Sequence, residues 1–321
     1  MSKKPNKTAV YTLNLWEKIQ YALVFSFVYC LSLLPLRVLY ILTGGIYLLA
    51  YRLIGYRTDV VRKNIRDSFP DKSEKERKQI EKDFYHFLAD YIAETIKLMT
   101  MSKKEMARRM TVSNYELIGE AEAKGQTVAA FLGHYCNWEW VTGIAIHFAP
   151  ASYGSQVYHV MENKVFDKLF LHIRERMGSK CIAMADILRR RIECLRRNQP
   201  MVIGYIADQV PFWNNIHYWT NFLNHDTPVL TGAETLTKRF GDRAVYLDLR
   251  RVRRGYYHID VKPLFLDTKD VPDWEITEKY YRELEQTILR QPAFYLWSHN
   301  RWKRTREEYN QRLLEKEKSA N

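Results

Sequence analysis

Apolar and polar positions divide this chain into two regions of different character. Residues 19–36 form an uncharged, mainly apolar run, which Arg37 separates from a second uncharged run. Eighteen residues are just long enough for a helix that spans a membrane. Pro35 and a glycine pair in the second run allow a hairpin or a shallow interfacial helix instead, and the buried hairpin of a soluble protein would give the same pattern. The pattern predicts a membrane-associated helical element at 19–55 and leaves its arrangement open.

The rest of the chain alternates between helical and extended periodicity. Residues 72–101 interleave charges with apolar side chains at helical spacing. Further on, apolar strands are predicted near 127–132, 201–207, 245–250 and 256–262, and helices at 138–148, 163–177, 185–197, 229–240 and 275–290. This alternation predicts an α/β fold, a mixed sheet flanked by helices. The expected layout is a basic tail at 1–18, the membrane-associated segment at 19–55, one catalytic domain at 56–309 and a charged tail at 310–321.

Composition narrows the class of partner. Fifty Lys and Arg against 37 Asp and Glu give a net charge of +13, which favours anionic lipid, a phosphate-bearing substrate, an acidic carrier protein or nucleic acid. No nucleic-acid-binding motif is recognisable in the sequence, so nucleic acid is not expected. The four cysteines form no Cys-x-x-Cys pair, so neither a zinc ribbon nor a disulfide scaffold is indicated, and no metal or cofactor is predicted.

The strongest candidate for chemistry is the segment Phe131–Glu139, which places His134 and Glu139 just after an apolar strand. Gly133 permits a turn, so the two side chains can meet although a straight helix would separate them. We predict that His134 is a general base for a hydroxyl that attacks a thioester, and that Glu139 is the carboxylate that fixes its tautomer. A packed histidine beside tryptophans is the alternative. Cys136 is expected to be a packing residue rather than a nucleophile.

Four further segments lie in a recognisable order around this one. Gly133-His-Tyr-Cys-Asn-Trp-Glu139 resembles the Gly-His-x-x-Asn-Trp-Glu signature of the bacterial lipid A late acyltransferases, the lauroyl and myristoyl transferase family. The other matches are Arg62–Pro70, Tyr205–Gln209, Phe222–Gly232 and Tyr295–Lys303. The resemblance covers roughly residues 15 to 306.

The resemblance implies a glycerolipid-acyltransferase-like sheet and an enzyme of lipopolysaccharide synthesis at the inner membrane, with its active site on the cytoplasmic side. Acyl carrier protein would be the donor and a hydroxyl of a lipid A precursor the acceptor. Asp208 and Asn137 are expected to support the pair of His134 and Glu139. The residues expected to bind substrate are Gln209, Trp297, Arg301 and Lys303. The aromatic residues expected to line an acyl groove are Trp138, Trp140, Phe212 and Trp213, with ordinary core packing the alternative for each.

The chain departs from the family pattern at two positions. His159 stands where the family has an arginine thought to face the substrate, so that role is not carried over. Asn224 stands where many members have glycine.

Two other functions fit parts of the sequence. A related family transfers acyl groups to glycerol or amino-acid lipids and often has aspartate at the position of Glu139, so the glutamate here favours lipid A. A non-catalytic basic protein of the membrane surface would explain the charge but would leave the His134 segment unexplained.

Overall fold

The N-terminal part of the fold is helical. The computed structural model describes residues 12–320, so the predicted tail at 1–18 lies mostly outside the described residues. Helix α1 (Leu15–Leu33) begins at a capping box formed by Asn14 and Glu17, and α2 (Leu36–Tyr47) continues into a π-helical turn, Leu48–Leu53.

The two helices are separated at Pro35, the N-cap of α2, whereas Gly44 and Gly45 continue α2 without a bend. Both helices lie against α4 (Glu74–Leu98). At the junction, the Ser32 carbonyl accepts hydrogen bonds from Lys97 on α4 and from Thr100 just after it, at 2.9 and 2.7 Å. Within residues 12–320, one stretch, Leu36–Leu53, is long and apolar enough to cross a membrane.

A seven-stranded sheet forms the core of the remaining chain. Its order is β1-β9-β8-β2-β5-β3-β4, and the contiguous strands β8, β2, β5, β3 and β4 are parallel. The antiparallel β9 and its partner β1 extend one edge. The strands are β1 Met110–Ser113, β2 Val128–Leu132, β3 Tyr153–Tyr158, β4 Lys180–Ala183, β5 Met201–Ile206, β6 Tyr218–Phe222, β7 His225–Val229, β8 Arg243–Arg253 and β9 Tyr256–Phe265, with β6 and β7 forming a separate hairpin.

Helices flank the sheet and connect its strands. They are α3 Thr58–Ser68, α5 Lys103–Arg109, α6 Glu116–Ala123, α7 Lys164–Glu175, α8 Ile187–Arg196, α9 Gly232–Phe240, α10 Glu275–Arg290 and α11 Arg306–Ala320. The predicted α/β class is confirmed, with a parallel-rich mixed sheet. The four predicted strands and most predicted helices are present, whereas 138–148 contains a 3₁₀ helix, Trp140–His147, in place of an α-helix.

Two local features concern the charged C-terminal segment and the turn at Asn224. The segment 310–321 is largely the second part of α11. The β6–β7 turn has Leu223 at φ 51° and Asn224 at φ 65°. Asparagine tolerates this left-handed region better than most residues, so the turn forms without the family's glycine. A hydrogen bond from the Asn224 side chain to the Ser68 carbonyl at 3.0 Å also holds it.

Candidate active site

The central strand β2 delivers His134 to the carboxyl edge of the sheet. All five residues of β2 are buried, and the edge at which parallel strands end is where open α/β sheets bind ligands. Gly133 lets the chain leave the strand close to α10, since a Cβ atom there would lie 2.5 Å from Leu284 Cδ1. The side chain of His134 is 16% exposed, so it reaches the surface only in part.

Strand register brings His134 to Asp208. Strands β2 and β5 pair in parallel with Leu132 opposite Ile206, and two residues beyond that pair come His134 and Asp208. His134 Nδ1 lies 2.6 Å from Asp208 Oδ1, and the His134 backbone N–H donates to Oδ2 at 2.9 Å. Asp208 is therefore the carboxylate that is hydrogen-bonded to the imidazole.

The electrostatic surroundings of Asp208 keep it ionised although it is only 2% exposed. Burial opposes the charged form, but the charge and hydrogen bonds of His134, with the positive charge of Arg301, hold the pKa of the Asp208 carboxyl below its usual value. A carboxylate accepts hydrogen bonds only, so Nδ1 of His134 carries a proton, and in the neutral imidazole Nε2 then keeps its lone pair. The Gln209 side-chain amide nitrogen lies 3.3 Å from that Nε2, in position to donate to it.

Glu139 lies in a different network from the one predicted. Its carboxylate forms a two-pronged ion pair with Arg174 of α7, at 2.6 and 2.7 Å, and accepts from the Tyr91 hydroxyl at 3.3 Å. The sequence suggested Glu139 as the partner of His134 because it is the nearest carboxylate along the chain. The register of β5 instead supplies Asp208, predicted only as a supporting residue.

Asn137 holds the loop between His134 and Glu139. Its Nδ2 donates to Glu94 Oε2 at 2.6 Å, and its Oδ1 accepts from the backbone N–H of Trp140 at 3.1 Å. Glu94 is fully buried and also accepts from the hydroxyls of Tyr40 and Tyr257, at 2.6 and 2.7 Å. The predicted supporting role of Asn137 thus corresponds to a contact with the buried carboxyl group of α4.

The C-terminal segment holds the other side of this loop. Cys136 has φ 50°, a strained conformation for a non-glycine residue, and its N–H donates to the Phe294 carbonyl at 2.9 Å. The Leu296 N–H donates to the His134 carbonyl at 3.2 Å. The Cys136 side chain is fully buried, and burial raises the pKa of its thiol well above the usual value. The geometry therefore favours packing over nucleophilic attack for Cys136.

The residues predicted to bind substrate are placed at different depths. Trp297 is fully buried, and its indole N–H donates to the Pro292 carbonyl at 2.6 Å, so it is a core residue. Arg301 is 1% exposed and donates to the Pro228 carbonyl and the Tyr281 hydroxyl, at 2.7 and 3.1 Å. Because the positive charge of Arg301 acts on Asp208, its surroundings suit an electrostatic role that supports the pair of His134 and Asp208. Lys303 is exposed.

An apolar cavity of about 50 Å³ lies against one face of the sheet. Its walls include Ala130 and Leu132 of β2, Val202 of β5, and Trp138. The Trp138 ring packs edge-on to the His134 ring, with centroids 5.2 Å apart. Of the other aromatic residues predicted to line a groove, Trp140 is buried and packs on Tyr257, Phe212 is exposed and Trp213 is partly exposed.

Sequence reasoning missed Tyr91, Glu94 and Arg174, which bind Asn137 and Glu139 in the loop that follows His134. They come from α4 and α7, and their spacing relative to His134 carries no local signal. Within residues 12–320, no three His, Cys, Asp or Glu side chains group closely enough to hold a metal ion.

One nitrogen of His134 is fixed by a buried carboxylate, and the other nitrogen, Nε2, lies at the carboxyl edge of the sheet. This is a general-base arrangement, as found in group-transfer enzymes with a hydroxyl nucleophile. The chain belongs to the bacterial lipid A biosynthesis acyltransferase family, whose model matches residues 7–304. It is similar to the lipid A biosynthesis lauroyltransferase of Escherichia coli (strain K12), with 26% identity over 273 residues, which cover 84% of this chain and 87% of that protein. The resemblance seen in the motifs is confirmed, and the protein is an acyltransferase.

Proposed function

We propose that the protein transfers a fatty acyl chain from an acyl carrier protein thioester to a hydroxyl of a lipid A precursor. The observation that carries this proposal is the hydrogen-bonded pair of His134 and Asp208 at the carboxyl edge of the sheet. Membership of the lipid A biosynthesis family supports the acceptor.

In the proposed reaction, Nε2 of His134 takes the proton from the acceptor hydroxyl as its oxygen attacks the thioester carbonyl carbon. The tetrahedral intermediate collapses, the carbon–sulfur bond breaks, and the imidazolium returns the proton to the departing thiolate. Asp208 stabilises the imidazolium during these steps. The acceptor hydroxyl takes the place of the Gln209 amide beside Nε2, which frees that amide to donate to the substrate.

Glu139 and Arg174 act as positioning residues in this proposal. Their ion pair joins the end of the loop 134–139 to α7. Glu139, which ends this loop, is only 3% exposed. Tyr91 links the same carboxylate to α4, and its ring stacks on Trp138 with centroids 4.3 Å apart. The pair therefore acts on His134 through Trp138 and the loop, without touching the reacting atoms.

The acyl chain is proposed to enter the sheet beside Trp138. The cavity there is apolar and is lined by Trp138, whose ring packs against His134, but 50 Å³ is less than the volume of about two water molecules. A long chain would have to widen it by moving the 3₁₀ helix at 140–147, whose residues form part of its lining. Support for this route comes from the apolar lining.

The N-terminal helices are proposed to attach the protein to the inner membrane. Many of their large apolar side chains are exposed, and exposed apolar side chains in such number are typical of a membrane contact. They include Leu15, Trp16, Leu23, Phe27, Leu33, Ile41, Leu53 and Ile54. The start of α1 contacts the start of α7, where Lys164 lies 3.3 Å from Glu17. Since α7 begins just after the carboxyl end of β3, this surface reaches the edge of the sheet that carries the candidate site. A cytoplasmic acyl donor requires that edge to face the cytoplasm.

Mass spectrometry of lipid A from cells with and without the gene tests the reaction directly. The proposal expects loss of one acyl chain when the gene is absent, and transfer by the purified protein that falls roughly 10²- to 10⁴-fold in His134→Ala. His147→Ala is the matched control, because His147 is exposed and lies at the end of the 3₁₀ helix, six residues before β3 begins. Unchanged lipid A together with acylation of a glycerolipid or amino-acid lipid would favour the related family.

A further inference from the structure

A groove with no assigned role lies in the part of the chain that follows Gln209. After Gln209 the chain continues to Phe212 and a 3₁₀ turn, Trp213–Asn215. Helix α11 packs against this turn, and the groove between them has a volume of about 470 Å³. Helix α11 begins at Arg306, beyond the 7–304 region that matches the family, so one wall of the groove lies outside the family model.

Two guanidinium groups converge on one aromatic ring at this groove. The guanidinium carbon of Arg312 lies 4.6 Å from the centre of the Trp213 ring, and that of Arg304 lies 5.2 Å from it. Arg304 also lies 5.7 Å from the centre of the exposed Phe212 ring. Guanidinium groups stack on aromatic faces and keep their hydrogen-bond donors available for an anion.

Among residues 12–320, no carboxylate forms an ion pair with Arg304 or Arg312. Glu315, about one helical turn after Arg312, is a carboxylate that lines the same groove. Burial, and then the positive charge of Arg312, lower the pKa of Arg304. An anion between the two groups would relieve this repulsion. The exposed Lys303 adds another positive charge next to Arg304 in the chain.

We propose that Arg304, Arg312 and Trp213 bind a phosphate group of the lipid acceptor, an inference that rests on the proposed function. Gln209 lies against His134, and Phe212 follows three residues later, which corresponds to about 10 Å of extended chain. A phosphorylated sugar head group can bridge that distance and present its hydroxyl to the base. Two arginines on one ring suit a compact, multiply charged anion better than the broad surface of an acidic protein.

The test compares the wild-type chain with Arg304→Gln/Arg312→Gln, using the phosphorylated acceptor and the same acceptor after phosphatase treatment. With the phosphorylated acceptor we expect the KM of the double variant to rise about 10- to 100-fold, from the loss of charge-assisted hydrogen bonds. Its kcat and its KM for the acyl carrier protein should stay within about twofold of wild type. With the dephosphorylated acceptor, variant and wild type should behave alike.

Two control variants isolate the position and the charge. Lys124→Gln/Arg196→Gln removes the same charge from exposed positions just before β2 and β5, at the opposite end of the sheet, and should leave both KM values unchanged. Arg304→Lys/Arg312→Lys keeps the charge and should recover part of the affinity. Circular dichroism checks that each variant is folded.

Binding measurements separate this inference from the reaction itself. The wild-type chain is titrated with phosphorylated acceptor in detergent micelles, with inorganic pyrophosphate, and with anionic phospholipid vesicles. Phosphate-dependent acceptor binding that the double variant loses would support the site even if no transfer occurred. A rise in the KM of the double variant for the carrier protein would overturn the inference in favour of protein docking. It would also be overturned if the double variant lost equal affinity for both acceptors, or lost affinity for phospholipid vesicles but not for the acceptor.

Discussion

Replacing Asp208 by asparagine tests the assignment of the histidine's partner. The two oxygens of Asp208 have different tasks, since Oδ2 accepts from the backbone N–H of His134 and Oδ1 faces Nδ1. Asparagine keeps only one acceptor oxygen. The backbone N–H can only donate, so it retains that oxygen and turns the amide NH₂ toward Nδ1.

The consequence is a change of tautomer. Nδ1 must then accept a hydrogen bond, so the proton moves to Nε2 and the lone pair that would take the acceptor's proton is lost. The equivalent change in a serine protease triad lowers kcat about 10⁴-fold, and we expect Asp208→Asn to reduce transfer by that order. Since the side chain keeps its size and one hydrogen bond, the melting temperature should change little.

Glu139→Gln is expected to behave differently. It removes the charge opposite Arg174, whose side chain is only 23% exposed. Leaving a buried polar group without its partner costs about 1–3 kcal/mol, and a charged group costs more. We therefore expect a lower melting temperature and a smaller loss of transfer than in Asp208→Asn. Asp226→Asn, at a surface ion pair with 49% exposure, is the matched control.

The assay measures initial rates of acyl transfer and thermal melting for each variant in the same detergent. The double variant His134→Ala/Asp208→Asn should be no slower than the slower single variant, because a base and its orienting partner act as a unit. The reasoning is refuted if Glu139→Gln loses about 10⁴-fold with unchanged melting while Asp208→Asn stays within tenfold of wild type.

Three further predictions concern stability and the membrane. Burial lowers the pKa of His299 from 6.5 to about 4, so the unfolded chain binds more protons than the folded chain between these pH values. Stability should therefore fall as the pH drops from 6.5 toward 4. His299→Gln should flatten that part of a plot of the urea midpoint against pH. Glu94→Leu leaves three buried donors without their acceptor and should lower the melting temperature far more than Glu94→Gln, a ranking that equal melting curves would contradict. Ile41→Glu/Leu53→Glu should reduce vesicle co-sedimentation without unfolding the protein, because these side chains are 76% and 79% exposed; unchanged sedimentation would count against the anchoring surface.

Local sequence patterns were sufficient to predict much of the fold. Strands such as β2 and β5 are continuous apolar runs, and amphipathic helices such as α7 and α10 have clear helical periodicity, so both kinds of element can be recognised without tertiary information. The short strands β3 and β4 were missed because each mixes buried with partly or fully exposed residues and spans six or fewer positions. Their assignment depends on pairing with neighbouring strands.

The candidate site shows the same division between local and long-range information. His134 was recognisable because it follows an apolar strand and a glycine, both of which are local features. Its carboxylate partner was not, because Asp208 lies 74 residues away and only the parallel register of β2 and β5 brings the two side chains together. Arg174 likewise reaches Glu139 only once α7 packs beside the loop. The sequence by itself determined most of the elements and singled out His134, whereas the tertiary structure decided which charges meet, since contacts between distant residues depend on register and packing.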